Sequence, residues 1–189
     1  MKEKLKTAVF ISGRGSNFKN LINFSKKKNS PIDIKLLISN NKYAKGVRYA
    51  SNNKIKKKIL DFKNSKKAEK LALNILKINK IKLVCLAGFM KILSKNFIKK
   101  FKGKIINIHP SLLPKYKGLN THARVLINNE KFSGCTVHFV NSKLDSGQII
   151  LQKKIKIKKR DTIRSLERKI LKEEYKIYPK AIKKIFSKN

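Results

Sequence analysis

Asn107 and His109 stand two residues apart in the stretch NIHPSLLPKYKG, and Asp145 lies further on in LDSGQ. On a strand, residues i and i+2 point to one face. An amide N–H beside an imidazole is a pair of donors suited to an oxyanion. A carboxylate that reaches the imidazole fixes its tautomer or favours its charged form. The three residue types together can stabilise negative charge and move a proton near neutrality. Each also has an ordinary reading: a hydrogen-bonded structural histidine before a proline turn, or an aspartate in a turn that Gly147 permits.

A second candidate is SGRGSN, residues 12–17. It follows an apolar run and opens a helical pattern, so its main-chain N–H groups can close on an anion at a helix N-terminus. It lacks the GK[ST] ending of a Walker loop, and Phe18 stands where a G-x-G-x-x-G motif needs glycine. A tight strand-to-helix turn explains it equally well. The other two histidines are His122, at the start of a helix after the proline loop, and His138, alternating with apolar residues in TVHFV. Their spacing matches no HExxH-type pattern, and no metal is expected.

These residues need a frame that holds them. TAVFIS (7–12) reads as a strand, followed by the glycine loop and the helix FKNLINFSKK. IDIKLLIS (32–39) is a second strand, KGVRYASNN a short helix, and KIKKKILDF leads to a third strand. Ser65 is placed to cap the next helix, with Leu71, Ile75, Leu76 and Ile78 on its inner face. IKLVCLAGF (81–89) is nearly all apolar, as a strand buried on both faces should be. SKNFIKKF is a helical turn or two, and KIINIHP (104–110) is another strand.

Alternation of strand and helix predicts a parallel, doubly wound, Rossmann-like α/β sheet. Asn107 and His109 then sit at the C-terminal end of a parallel strand, the edge where such sheets bind ligands. From about residue 133 the rhythm changes. GCTVHFV and GQIILQKKIKI predict an antiparallel strand pair. A long basic amphipathic helix follows over roughly 161–187, with Asp161 as its N-cap and Ile163, Leu166, Ile170, Ile177, Ala181 and Ile185 facing inward.

The chain has 189 residues with 41% hydrophobic content, which suits one compact domain. No apolar run is long enough for a transmembrane helix, and AVFI is too short for a signal-peptide core, so a cytoplasmic protein is expected. Cys85 and Cys135 lie in apolar surroundings without CxxC spacing and read as buried thiols in a reducing compartment. The net charge is +39, carried by 49 basic against 10 acidic residues. Lysine far outnumbers arginine, whereas a phosphate-clamping or base-reading surface favours the arginine fork. Together with abundant Ile and Asn this points to A/T-rich coding bias. Such a surface still attracts polyanions nonspecifically at low salt.

Taken in order, ISGRGSN, LAGFMKILS, NIHPSLLPKYKGLNTH, GCTVHFV, LDSGQIILQ and EEYKIYP resemble the folate-dependent formyltransferases, and among them the glycinamide ribonucleotide formyltransferases. The likeness runs from Thr7 to about Phe186. It implies a single formyltransferase domain, with a phosphate-binding part over about 1–103 and a catalytic and folate part over about 104–189. It implies attack of a substrate amine on the formyl carbon of 10-formyltetrahydrofolate, with no metal. Asn107 and His109 then stabilise the oxyanion and Asp145 assists the histidine. Gly15, Ser16, Asn17, Phe18 and Lys19 hold the ribonucleotide phosphate, and Glu174 contacts the same substrate. Lys66, Met90, Lys91, Ile92, Leu93 and Asn107 are the implied folate contacts.

Lys91 and Asn120 stand where the family often has Arg and His, and Ser146 follows Asp145 where Gly is usual. The rival within the fold is a methionyl-tRNA formyltransferase, which carries a further C-terminal domain. A rival of another class is a basic nucleic-acid-binding protein on this scaffold, though nothing resembles an RNP motif. Small-molecule substrates, no specific nucleic acid and no membrane are expected, as a monomer or a homodimer.

Overall fold

The computed structural model describes residues 3–186, which hold seven strands and six helices. Contacts divide the chain into two compact units, Met1–Ile106 and Asn107–Asn189. The first contains β1 (Leu5–Ile11), α1 (Ser16–Ser25), β2 (Ile32–Ser39), α2 (Val47–Asn52), β3 (Lys56–Ile59), α3 (Ser65–Ile78), β4 (Leu83–Leu86) and α4 (Lys95–Lys100). β1 pairs in parallel with β2 and β4, and β2 pairs in parallel with β3, so β1 is central. The central position explains the apolar run Ala8–Ile11, which is fully buried, while the edge strand β3 is exposed throughout and carries three lysines. Charge on an edge strand also discourages pairing with another chain.

An aromatic cluster supports the end of β4. Phe89 meets Phe10 and Phe62 edge to face, each at 5.3 Å between ring centroids. Such pairs contribute ~0.5–1.5 kcal/mol beyond their area burial. β5 (Lys104–His109) crosses the division between the units and ends at Asn107 and His109.

The second unit contains α5 (Thr121–Ile127), β6 (Phe132–Phe139), β7 (Ile149–Lys156) and α6 (Ile163–Phe186). β6 and β7 are antiparallel, as the change of rhythm predicts. α6 packs across both strands and against α5. Both cysteines are free and buried. No helix among the described residues is long and apolar enough to cross a membrane.

Several local expectations need correction. α3 is capped by Asn64, whose side chain accepts from the Lys67 N–H, and Ser65 is already helical. Its inner face is Ala68, Glu69, Ala72 and Leu76, whereas Leu71 and Ile78 are exposed. α6 starts two residues after Asp161: Ser165 N–H donates to the Thr162 hydroxyl, and Ser165 hydroxyl accepts from Thr162 N–H. This reciprocal pair is the capping arrangement, and Asp161 supports it by accepting from Ser165 Oγ and from Lys169. Ile163 faces solvent, while Tyr178 and Ile182 join the buried face. The expected helix end at residue 187 lies outside the described residues.

Candidate active site

β5 delivers Asn107 and His109 to one place because of its period of two, with His109 only 6% exposed. Asp145 arrives from the connection between β6 and β7, where it adopts a left-handed backbone with φ 44°. Gly147 has a different role from the one its sequence suggests. Its φ is not positive; instead a Cβ there would meet the Phe139 carbonyl oxygen at 1.7 Å. The glycine lets the loop pass tightly against the end of β6.

His109 Nδ1 lies 3.4 Å from Asp145 Oδ2, and its Nε2 lies 2.9 Å from the Tyr116 carbonyl oxygen. Both ring nitrogens therefore face acceptors, an arrangement that only the doubly protonated imidazolium satisfies in full. Burial opposes the charge and, with help from His138 and Arg124, outweighs the Tyr116 carbonyl and Asp145. The net effect holds His109 below the ordinary histidine value. Burial alone would raise the Asp145 carboxyl. Hydrogen bonding to His138 and to the Gly118 N–H, at 2.9 Å, and the imidazole charges overcome it, so Asp145 is held below the usual carboxylate range.

His138 is the residue that sequence reasoning leaves ambiguous. It is buried at the end of β6, and its Nδ1 donates to the Phe139 carbonyl at 2.8 Å. Its Nε2 stands 3.3 Å from Asn107 Nδ2 and 3.6 Å from Asp145 Oδ1. Asn107 Nδ2 also reaches Asp145 Oδ1 at 3.5 Å. The contacts around Asn107, His109, His138 and Asp145 mostly exceed 3.2 Å, so substrate groups can replace them at modest cost. Alternation in TVHFV marks His138 as facing one side of β6, but nothing in that pattern says which neighbours it meets.

The loop after His109 is fastened to β6 and β7. Thr136 Oγ1 donates to the Ser111 carbonyl at 2.6 Å and accepts from the Leu113 N–H at 3.2 Å. Gln152 Nε2 donates to the Leu113 carbonyl at 2.9 Å and to Thr136 Oγ1 at 2.8 Å. Tyr116, with φ 56°, then turns its carbonyl to His109, and Gly118, with φ 78°, turns its N–H to Asp145.

In the first unit, SGRGSN closes against the ends of its parallel strands. Ser12 N–H donates to the Gly88 carbonyl at 3.0 Å, its hydroxyl donates to Asn40 Oδ1 at 2.6 Å, and it accepts from Met90 N–H at 2.7 Å. Gly15 has φ 69°, and a Cβ there would lie 2.6 Å from Gly46 Cα. It is the N-cap of α1 and, as a glycine, offers no side chain to cap that helix. Past β4, Ser94 is held by the buried Glu69 carboxylate, which accepts from its N–H at 2.7 Å and from its hydroxyl. The strip between these anchors presents Met90 and Ile92, 62% and 70% exposed, and turns Leu93 inward.

A family model described as formyl transferase matches residues 5–182. The chain belongs to the formyl transferase family. The phosphoribosylglycinamide formyltransferase of Haemophilus influenzae is 40% identical over 94% of this chain and 85% of its own length. That of Bacillus subtilis is 35% identical over 97% and 96%. The chain also matches the trifunctional purine biosynthetic protein adenosine-3 of Gallus gallus at 41% identity, and spans 19% of that much longer relative. The crystal structure of phosphoribosylglycinamide formyltransferase from Bacillus halodurans has a TM-score of 0.92 at 35% identity, covering 97% of this chain and 96% of the other. The one from Brucella melitensis has a TM-score of 0.91 at 35% identity, with 99% and 97% covered. The mainly parallel α/β fold with its antiparallel pair and long terminal helix is thus the formyltransferase fold.

The remaining residues implied by the likeness to formyltransferases differ in what their side chains can reach. Ser16 is half-buried and Lys19 exposed, with its ammonium 5.5 Å from the Tyr49 ring centroid. Asn17 is 7% exposed, and Phe18 is fully buried, so only the Phe18 main chain can face a phosphate. Lys66 and Lys91 are exposed. Glu174 is buried on α6, close enough to Cys135 to help raise its thiol pKa after burial has done most of that. His122, on α5, is held below the ordinary histidine value by burial, against Glu167 and with His109. Among the described residues no group of three or more His, Cys, Asp or Glu could hold a metal.

Proposed function

We propose that this formyl transferase family member passes a formyl group from 10-formyltetrahydrofolate to the amine of glycinamide ribonucleotide, as a step of purine synthesis. The observation that carries the reading is the cluster of Asn107, His109 and Asp145, with oxygens and nitrogens 3.4–3.5 Å apart. It occurs in a chain similar over nearly its whole length to enzymes named for that reaction.

The folate co-substrate supplies the activated formyl carbon. Met90 and Ile92 offer it an apolar wall, and the main chain between the Ser12 and Ser94 anchors offers donors and acceptors to a flat heterocycle. Asn107 Nδ2 and protonated His109 supply donors for the oxyanion that develops as the new C–N bond forms. Preorganised donors of this kind are worth ~2.7–4 kcal/mol each. Asp145 keeps His109 available in the charged form and accepts the proton that the attacking amine loses, directly or through water. That proton is matched by one delivered to N10 as the old C–N bond breaks. Gly15, Ser16, Asn17, Lys19 and the Phe18 main chain hold the phosphate at the α1 N-terminus, and Glu174 belongs to the same substrate's surroundings. Lys66, Lys91 and Leu93 complete the folate side. Two buried free thiols suit a cytoplasmic, reducing compartment.

The test is an assay of purified protein with 10-formyltetrahydrofolate and either glycinamide ribonucleotide or methionyl-tRNA as acceptor. Turnover with the ribonucleotide is expected. Turnover with the tRNA alone overturns the assignment.

A further inference from the structure

The peptide between Lys117 and Gly118 has a partner at each end. Its N–H, on Gly118, donates to Asp145 Oδ2 at 2.9 Å. Its carbonyl oxygen, on Lys117, accepts from Arg124 Nη1 at 2.7 Å. In a planar trans peptide the C=O and N–H point in opposite directions, so a group that holds the oxygen also aims the hydrogen. A cation on the oxygen further polarises the amide and makes its N–H a better donor.

Local structure brings Arg124 to that oxygen. Its main-chain N–H donates to the Asn120 carbonyl at 3.1 Å, in the first turn of α5. Helical side chains tilt toward the helix N-terminus, which turns this one back over the loop that precedes it. Nη1 also points to the Leu119 carbonyl, at 3.4 Å, and the guanidinium lies 5.3 Å from the Tyr116 ring centroid. That ring is fixed through its hydroxyl, which donates to Glu130 Oε1 at 2.9 Å and accepts from Asn128 Nδ2 at 3.0 Å. Tyr116, Gly118 and Asn120 all have left-handed backbones, with φ 56°, 78° and 55°. Residues other than glycine keep that conformation only where their surroundings enforce it. The two carbonyls that Arg124 holds belong to the residues between these three.

We propose that Arg124 is a positioning residue for formyl transfer. It holds the segment from Tyr116 to Leu119 so that the Gly118 N–H meets Asp145 and the Tyr116 carbonyl meets His109. It acts through this backbone and not on the reacting atoms. The inference rests on the formyl transfer proposed above, but its first test needs no substrate.

The full chain is compared with Arg124→Lys and Arg124→Gln by NMR, through the Gly118 amide proton and the Asp145 carboxyl carbon titrated against pH. Arg124 is exposed, so both variants should fold. Burial raises the Asp145 carboxyl, whereas hydrogen bonds to His138 and the Gly118 N–H, with the charges of His109 and His138, bring it below the usual range. A weakened Gly118 bond should therefore raise the Asp145 pKa and move the Gly118 proton upfield. Lysine keeps the charge and loses the planar fork, so Arg124→Lys separates aim from charge. Both variants should show the two shifts. In the assay kcat should fall about 5–20-fold with KM changed less than about twofold, and the acid limb of the profile should move to higher pH. Parent-like signals in Arg124→Lys, a loss of rate without the shifts, or a change in melting temperature alone overturns the proposal. The two shifts without turnover of glycinamide ribonucleotide would support the positioning and overturn the assigned reaction instead. If Arg124→Gln fails to fold, Arg124→Lys decides alone.

Discussion

The Nδ1 atom of His109 lies 3.4 Å from Oδ2 of Asp145, with both side chains less than a tenth exposed. The contact becomes an ion pair only when the imidazole is protonated, which burial opposes; in that state the buried pair attracts more strongly than an exposed one and loses more when one partner is removed.

Asp145→Asn is accordingly expected to lower kcat by about 10²–10⁴ while circular dichroism stays unchanged. Asp145 raises the His109 pKa, so its loss should also move the limb of the pH–rate profile that reports the imidazolium to lower pH. A rate near that of the parent removes Asp145 from the mechanism.

His138→Ala tests a positioning residue. Its Nε2 approaches both Asn107 and Asp145, and hydrogen bonding to it helps hold the Asp145 carboxyl down. Removing it should raise the Asp145 pKa and shift the acid limb of the kcat profile upward. A fall in kcat of about 10–100-fold with little change in KM is expected. A variant altered only in melting temperature would make His138 structural.

These expectations differ in how far the chain announces them. Asn107 and His109 are readable as a pair because the strand period of two acts on adjacent residues, and Asp145 is marked by a turn. His138 depends on the pairing of β6 with its surroundings, which no local pattern encodes. The same holds for α3: helical periodicity picks out Leu71 and Ile78 as core, yet the face that is buried in the structure carries Ala68, Glu69, Ala72 and Leu76. The doubly wound rhythm and its break near residue 133 survive because they rest on whole elements rather than on single contacts.

Gly15→Ala addresses the loop before α1. The residue has φ 69°, and a Cβ would collide with Gly46, so the two loops must part. Raised KM for glycinamide ribonucleotide is expected, with a loss of about 1–3 kcal/mol in stability. Isothermal titration with the substrate and urea unfolding would measure the two effects. Unchanged affinity would take this loop out of phosphate binding.

Acid stability should depend on Asp161. Burial would raise its carboxyl, but hydrogen bonds from Lys169, the Lys158 N–H and Ser165 hold it at about 2, below the ordinary 3.8. The folded value is depressed, so this stabilisation is fully present above 3.8 and is lost as pH falls toward 2. Asp161→Asn should cost about 1–2 kcal/mol near neutrality and flatten that part of the stability curve, measured by thermal melting against pH. An unchanged curve would mean that Lys169 and the start of α6 do not need the carboxylate.

Thr136 joins the loop after His109 to the strand that carries His138, two positions along β6. The loop after His109 and β6 are therefore expected to open together. The Leu113 amide should exchange its hydrogen as slowly as the strand amides, although it lies outside any regular element. In the proposed site, substrate would enter by exchanging side-chain contacts, while movement of the loop after His109 would require its bonds to Thr136 and Gln152 to break.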